Sequence, residues 1–341
     1  MDRSRRDFMK STAGATAAGV ALFSILRTSR AKAAEFTYKI GHDQPPSHPQ
    51  NLRLVEAAKE IAKKTNGRLE IQVYPNNQLG GDTHVLPQLR SGALEFLQLG
   101  NNVLANVVPS ASLADLPFAY SGYEQLWSTL DGPFGDYLRG EVRKAGIHIF
   151  DKGWDAGMRN VFTSDREVRT VADIKGLKLR VPAAPIQQET FKALGSSPTP
   201  INNSELYSAL QTHLVDGAEQ PLISIESAKL YEVSKYISMT NHQSTSFSTL
   251  ANNGAWQRLP KDVQAIVTES FNNAALLERK DIADGEENLR KELAGQGQTI
   301  LSPEREGFRD VLRKSGLYAQ WRDRYGKEAF ALLEKSVGEL A

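Results

Sequence analysis

The chain has 341 residues, 40% hydrophobic and 24% charged, a globular composition long enough for two domains with cores of their own. Lys and Arg number 41 against 40 Asp and Glu, so nothing implies a nucleic-acid surface. Cysteine is absent, which excludes disulfides, thiolate metal sites and cysteine nucleophiles, and suits an oxidising compartment.

In chain order, the first segment is a targeting sequence. MDRSRRDFMK supplies a basic head, an uncharged run covers residues 11–26, and Ala31-Lys32-Ala33 forms a small-residue cleavage site. At 1.5 Å per residue that run is too short to span a bilayer. Ser4-Arg5-Arg6-Asp7-Phe8-Met9-Lys10 matches the twin-arginine export pattern, so residues 1–33 are expected to be a signal peptide read by that machinery. The weakly apolar run and the basic residues behind it, Arg27, Arg30 and Lys32, favour the same route. The mature chain, with 34 basic and 38 acidic residues and a net charge of −4, is expected free in the periplasm and not embedded in the membrane. Its mildly acidic surface disfavours nucleic-acid or membrane adhesion, so any anion must be captured locally.

Strands and helices then alternate. FTYKIGHD reads as a strand, PQNLRLVEAAKEIAKKTNG as an amphipathic helix stopped by Gly67, and RLEIQVYP as a strand closed by Pro75. DTHVLPQLRSG reads as a helix capped by Asp82, and ALEFLQLG as a strand. GIHIFDKGW and KLRVP are strands, followed by the helix APIQQETFKALG. SELYSALQTH reads as a helix capped by Ser204, and LVDGAEQP as a strand. Such alternation means α/β with helices on both sheet faces. Residues 260–295 form a near-unbroken helical pattern, with Asp284-Gly285 its weak point, far longer than the usual 11–12 residues or so. A helix of that length can strap two lobes together, and a cleft between lobes is where a ligand binds. Two further helices are expected in SPEREGFRDVLRKSG and YGKEAFALLEKSV.

Catalytic signatures are missing: there is no P-loop, G-x-G-x-x-G, H-E-x-x-H or G-x-S-x-G. The six histidines lack metal-ligand spacing, and His42 and His48 merely flank a Pro-Pro loop. Tyr231 and Lys235 mimic a dehydrogenase pair, but no nucleotide-binding glycine turn accompanies them. No cofactor or metal is expected. One position stands out in GLKLRVPAAP. Leu177, Leu179 and Val181 alternate onto one face, Lys178 and Arg180 onto the other, before Pro182 ends the ladder. Arg180 is either a solvated edge charge or a cleft residue placed for an anion.

Residues 157–221 carry, in order, G-M-R-N-V-F-T, D-I-K-G-L-K-L-R-V-P, F-K-A-L-G-S-S-P-T-P, S-E-L-Y-S-A-L-Q and V-D-G-A-E-Q-P. These five motifs resemble the dicarboxylate-binding (DctP-like) solute-binding proteins of tripartite ATP-independent periplasmic (TRAP) transporters. GRLEIQVYPNNQLGGD, LPFAYSGYEQ, KLYEVSKYISMTNH and LPKDVQAIVTESFNNA extend the likeness over essentially the whole mature chain.

The resemblance implies a two-lobed α/β fold of the periplasmic-binding-protein kind, with a central ligand cleft, a hinge, a long brace helix and C-terminal helices. Its expected divisions are residues 34–155 for the first lobe, 156–245 for the second, and 246–341 for the return strand, brace and C-terminal helices. It implies a non-enzymatic subunit that captures an organic acid and delivers it to a small and a large membrane permease subunit. Arg180 matches the family's carboxylate-binding strand arginine, and Arg159 a second pocket arginine. Gln220 stands where the family usually has Asn. Asp43, Asp82, Asn101 and Asn203 match pocket-lining positions, and Trp154 and Asp155, just upstream of Arg159, join them as candidates. Where relatives read P-M-A-F-S-E this chain reads P-I-N-N-S-E, with Asn203 in place of an aromatic residue. The pocket is therefore expected to be unusually polar, favouring a hydroxylated sugar acid such as a uronate or aldonate. The alternatives are a C4-dicarboxylate or another carboxylate in the same system, a subunit feeding a membrane sensor, or a twin-arginine-exported enzyme acting on an organic acid.

Overall fold

Two six-stranded sheets organise residues 34–340, the part of the chain described in this computed structural model. The segment read as a signal peptide, residues 1–33, lies outside the described residues. The first sheet contains β1 (Phe36–Gly41), β2 (Leu69–Tyr74), β3 (Phe96–Gly100), β4 (Ile147–Ile149), β5 (Trp154–Asp155) and β11 (Ser246–Asn252). The second contains β6 (Arg159–Thr163), β7 (Lys178–Val181), β8 (Ser197–Pro200), β9 (Gly217–Pro221), β10 (Tyr236–Gln243) and β12 (Thr299–Leu301). Strand order is β2-β1-β3-β11-β4, with β5 also on β11, in the first, and β12-β10-β6-β9-β7-β8 in the second. β1 runs parallel to β2 and β3, and β7 parallel to β8 and β9, each pair joined through a helix as parallel strands require. β3, β6 and β9 are buried throughout, as strands covered on both faces are.

The chain passes directly between sheets twice in the central region. Residues 156–158 lead from β5 to β6, and residues 244–245 lead back from β10 to β11. Ala156 N donates to Thr245 O at 2.9 Å, so the two crossovers lie side by side as a hinge. This is the two-lobed α/β fold that the sequence leads one to expect.

The brace is the helix Lys261–Gly295, 35 residues with no break at Asp284-Gly285. At 1.5 Å per residue it is about 50 Å long. It packs on the helix Pro49–Lys64 and β5 of the first sheet and on the helix Leu222–Ser227 beside the second. An Arg53–Asp281 ion pair at 2.7 Å ties it to the first of these helices. Three helices close the chain: Arg305–Lys314, Leu317–Tyr325 and Lys327–Val337. Their Trp321 and Phe330 share one core with Leu113 and Phe134 from the middle of the chain and with Leu179 and Phe191 of the second-sheet side. β12, within the segment expected as the first lobe's return, pairs with β10 of the second sheet.

Local differences from the sequence reading have simple causes. The helix Asp82–Ser91 takes Gly81 as its cap, so Asp82 stands in the first turn and its carboxylate caps nothing. Ser204 sits within a 3-10 turn, Asn203–Glu205, and the α-helix begins only at Leu206. The helices Tyr123–Leu130 and Pro133–Lys144 and the strands β10 and β11 are further elements of the fold that the sequence reading does not include.

Candidate functional site

A polar cavity of about 30 Å³ lies between the sheets, lined from the first side by Asp43, Gln44, Asp82, Gly100, Asn102, Val103 and Phe247. Arg159, Arg180, Pro182, Asn203, Gln220 and Ser224 line it from the second side, and Ala156 and Thr245 come from the crossovers. Room for about two waters is all such a volume provides, so the cleft is closed on its own side chains. Contacts across its mouth agree: Asn106 Nδ2 donates to Ala183 O at 3.0 Å and Asn203 Nδ2 to Asp43 O at 3.4 Å.

Arg180 lies on the same strand face as exposed Lys178 yet is only 2% exposed, because its end of β7 meets the opposite lobe. Its Nε donates to Ile201 O at 2.8 Å. Neither terminal nitrogen donates to a described residue, and no carboxylate among the described residues comes within ion-pair distance. Burial, then the charge of Arg159, lowers its pKa to about 10, so it stays cationic at neutral pH.

Arg159 is placed very differently. It opens β6, and Glu219 stands on the neighbouring strand β9. Nε and Nη2 grip the Glu219 carboxylate, with Nη2 to Oε1 at 2.8 Å, while Nη1 donates to Thr245 Oγ1 at 3.2 Å. Burial alone would raise the pKa of Glu219. The charge of Arg159 and hydrogen bonds from His242 and Arg159 overcome that and hold it below the ordinary value. His242 Nε2 completes the group at 3.3 Å from Glu219 Oε2. Sequence reasoning missed Glu219, since only strand register reveals that it faces Arg159.

Two acids share the cavity with Arg180. Burial raises Asp43 to about 6, against the pull of Arg180. Asp82 is raised well above its usual value by burial and then by Asp43. Asp43 Oδ1 accepts from Gln44 Nε2 at 3.0 Å, and Gln220 Nε2 donates to Asn203 Oδ1 at 2.8 Å. The cavity thus combines the Arg180 guanidinium, two acids whose pKa values are raised by burial, and several amides.

Six of the nine sequence candidates meet here: Asp43, Asp82, Arg159, Arg180, Asn203 and Gln220. Three do not line the cavity. Asn101 opens the short helix after β3 and turns away, exchanging hydrogen bonds with Ser246 Oγ at 2.8 Å and Ser248 Oγ at 2.7 Å. Its neighbour Asn102 takes the lining position, because one helical step rotates a side chain by about 100°. Trp154 is fully buried in the first-sheet core. Asp155 lies behind the crossover, where its Oδ1 accepts from Gly157 N at 2.7 Å and its own N donates to Glu278 Oε2 at 2.9 Å. The His42–His48 pair has structural roles: His48 Nδ1 accepts from Gln50 N at 3.1 Å and His42 Nε2 meets Asn51 at 3.2 Å. Among the described residues no group of three or more potential metal ligands occurs, and no helix is long and apolar enough to cross a membrane.

A buried arginine with no ion-pair partner among the described residues, in a polar cavity closed by residues of two hinged lobes, defines a solute-binding protein. Comparison with known proteins agrees: the model of the bacterial extracellular solute-binding proteins, family 7 (DctP), matches residues 40–320, and the chain belongs to that family. It is 36% identical over 280 residues to the uncharacterized protein y4mM of Sinorhizobium fredii, covering 82% of this chain but about half (51%) of that longer relative. Among solved structures it resembles a TRAP periplasmic solute-binding protein of Sulfurospirillum deleyianum with bound succinate (TM-score 0.83, 29% identity, 88% of this chain and 99% of that one). It also resembles the sugar acid binding protein DctPAm of Advenella mimigardefordensis in complex with galactonate (TM-score 0.85, 26% identity, 91% and 100%).

Proposed function

We propose that this protein is the periplasmic solute-binding subunit of a TRAP transporter. It captures a small organic acid anion on Arg180 and delivers it to the small and large membrane permease subunits, after export of the precursor by the twin-arginine route. Residues 34–155, with the return strand in 246–341, would act as the first lobe and residues 156–245 as the second. The observation that carries this reading is the Arg180 fork, buried and without a carboxylate partner among the described residues. A guanidinium offers planar, paired donors that fit a carboxylate, and closing the cleft over it without an anion costs desolvation. The ligand therefore favours the closed form by binding it better.

The favoured ligand is a hydroxylated monocarboxylate, a uronate or aldonate. Asn102, Asn203 and Gln220 offer both donors and acceptors, and the two acids add acceptors for hydroxyls. An apolar ligand would leave those groups unpaired and be rejected. The galactonate-bound relative supports this reading. A second reading, a C4-dicarboxylate, draws on the raised pKa of Asp82: a protonated carboxyl can donate to a second carboxylate. The succinate-bound relative supports that one. A thermal-shift screen separates them, since ligand at a hundredfold excess over Kd stabilises by about 2.7 kcal/mol. Stabilisation by galacturonate, glucuronate or galactonate, with none by succinate or malate, is expected. The opposite pattern overturns the sugar-acid assignment, and no response to any acid overturns the transporter reading.

A further inference from the structure

Asp115 ends the 3-10 turn Pro109–Asp115 and is 1% exposed. It touches neither the cavity nor a cation. Its Oδ1 accepts from Ser246 N at 2.8 Å and from Ser244 Oγ at 2.9 Å, and its carbonyl accepts from Gln243 Nε2. All three donors belong to the stretch that carries the chain from β10 in the second sheet to β11 in the first. The linker proper is Ser244-Thr245, which lies between the two strands without a ladder partner.

Thr245, between the two anchored serines, is the residue of this linker that lines the cavity. Its Oγ1 accepts from Arg159 Nη1 at 3.2 Å, and its carbonyl accepts from Ala156 N of the other crossover at 2.9 Å. Asn101 holds the same linker from a second side through Ser246 Oγ. With Ser244 and Ser246 both held by Asp115, Thr245 is left with its side chain toward Arg159.

We propose that Asp115 is a positioning residue for ligand capture: by fixing Ser244 and Ser246 it sets Thr245, and through Thr245 it orients Arg159 and registers the two crossovers in the closed cleft. The binding half of the test rests on the solute-binding reading above, whereas the exchange half needs no ligand.

Amide hydrogen exchange on the mature ligand-free protein is the first measurement. Asp115→Ala should speed exchange at Ser246 and also at Ala156, tenfold or more, whereas Asp115→Asn, which keeps an oxygen acceptor, should stay within threefold at both. Fast exchange at Ser246 with Ala156 unchanged would mean that Asp115 does not act through Thr245, and would overturn the proposal. Equal loss in the alanine and asparagine variants would overturn it too. The second measurement is stopped-flow release of D-galactonate, expected at least tenfold faster in Asp115→Ala and near wild type in Asp115→Asn. A lowered melting temperature with unchanged release would mark a purely structural role. If Asp115→Ala does not fold, Ser244→Ala carries the test, with about threefold faster exchange at Ala156 expected and no change overturning the proposal. Failure of the wild type to bind any acid, with the exchange pattern intact, would count against the functional reading alone.

Discussion

Arg159 and Glu219 form a bidentate ion pair across neighbouring strands, with side chains only 3% and 0% exposed, while Arg180 in the same cavity has no acidic partner within ion-pair distance among the described residues. The two arginines look equivalent in the sequence and are not equivalent in the fold. Arg159 is neutralised from within, and its remaining nitrogen is held by Thr245. Arg180 keeps both terminal nitrogens for something from outside.

Arg180→Lys should therefore weaken ligand binding far more than its retained charge suggests. Loss of the fork and of one charge-assisted hydrogen bond costs roughly 1.5–3 kcal/mol, about ten- to over a hundredfold in Kd. Calorimetric titration with the best ligand of the acid screen checks this, and wild-type affinity would remove Arg180 from the site.

Glu219→Gln should lower stability as well as affinity. It leaves the buried Arg159 charge uncompensated, which costs about 3–5 kcal/mol in comparable buried pairs. The paired change Arg159→Met with Glu219→Leu should be less destabilising than Glu219→Gln alone. Urea unfolding of the three proteins decides it.

Ligand binding should take up protons near neutral pH. A bound carboxylate beside Asp43, already raised to about 6, and Asp82, raised as well, favours their protonated forms. Affinity should therefore rise as pH falls from 8 toward 6, while Arg180, with a pKa of about 10, stays charged throughout. Calorimetry at pH 7 in buffers of different ionisation enthalpy should report uptake of a fraction of a proton, reduced by Asp43→Asn. Proton release on binding would contradict the site described.

Stability of the ligand-free protein should fall between about pH 4 and about pH 7. Asp155 is raised to about 7, mainly by burial, and Glu278, which accepts from its backbone, is raised as well. A carboxyl whose folded pKa lies above its unfolded value of about 3.9 stabilises fully below that value and loses the effect as pH rises through the folded pKa. For Asp155 the swing is at most about 4 kcal/mol. Asp155→Asn should flatten the melting temperature across this window, and an unchanged slope would show that Asp155 is not responsible.

Gly81→Ala should speed ligand release without harming the open form. Gly81 has an ordinary φ of −65°, so alanine causes no backbone strain. Its Cβ would come 2.8 Å from Asn202 Cγ on the opposite lobe, a clash that exists only when the cleft is closed. A two- to tenfold faster release is expected, because the short Asn202 side chain can shift in part, and Asn202→Ala in the same protein should restore the wild-type rate.

Much of this was legible in the residues alone. The alternation of strands with amphipathic helices and the near-unbroken helical pattern to Gly295 are local signals, written by periodicity, and they carried the α/β class and the brace. The ordered motifs around Arg180 carried the resemblance, and Asp43, Asp82, Arg159, Asn203 and Gln220 were brought together with it. What the residues could not say was direction and pairing. Asn101 and Asn102 differ by one helical step, and only the turn after β3 decides which faces the cavity. Glu219 and Arg159 are sixty positions apart and meet through strand register. Asp155 and Trp154 sit beside the site in sequence and behind it in space, because the crossover turns them into the core. Periodicity and composition are properties of neighbours along the chain, whereas the partner of a buried charge is set by which strands pack together, and that only the tertiary structure decides.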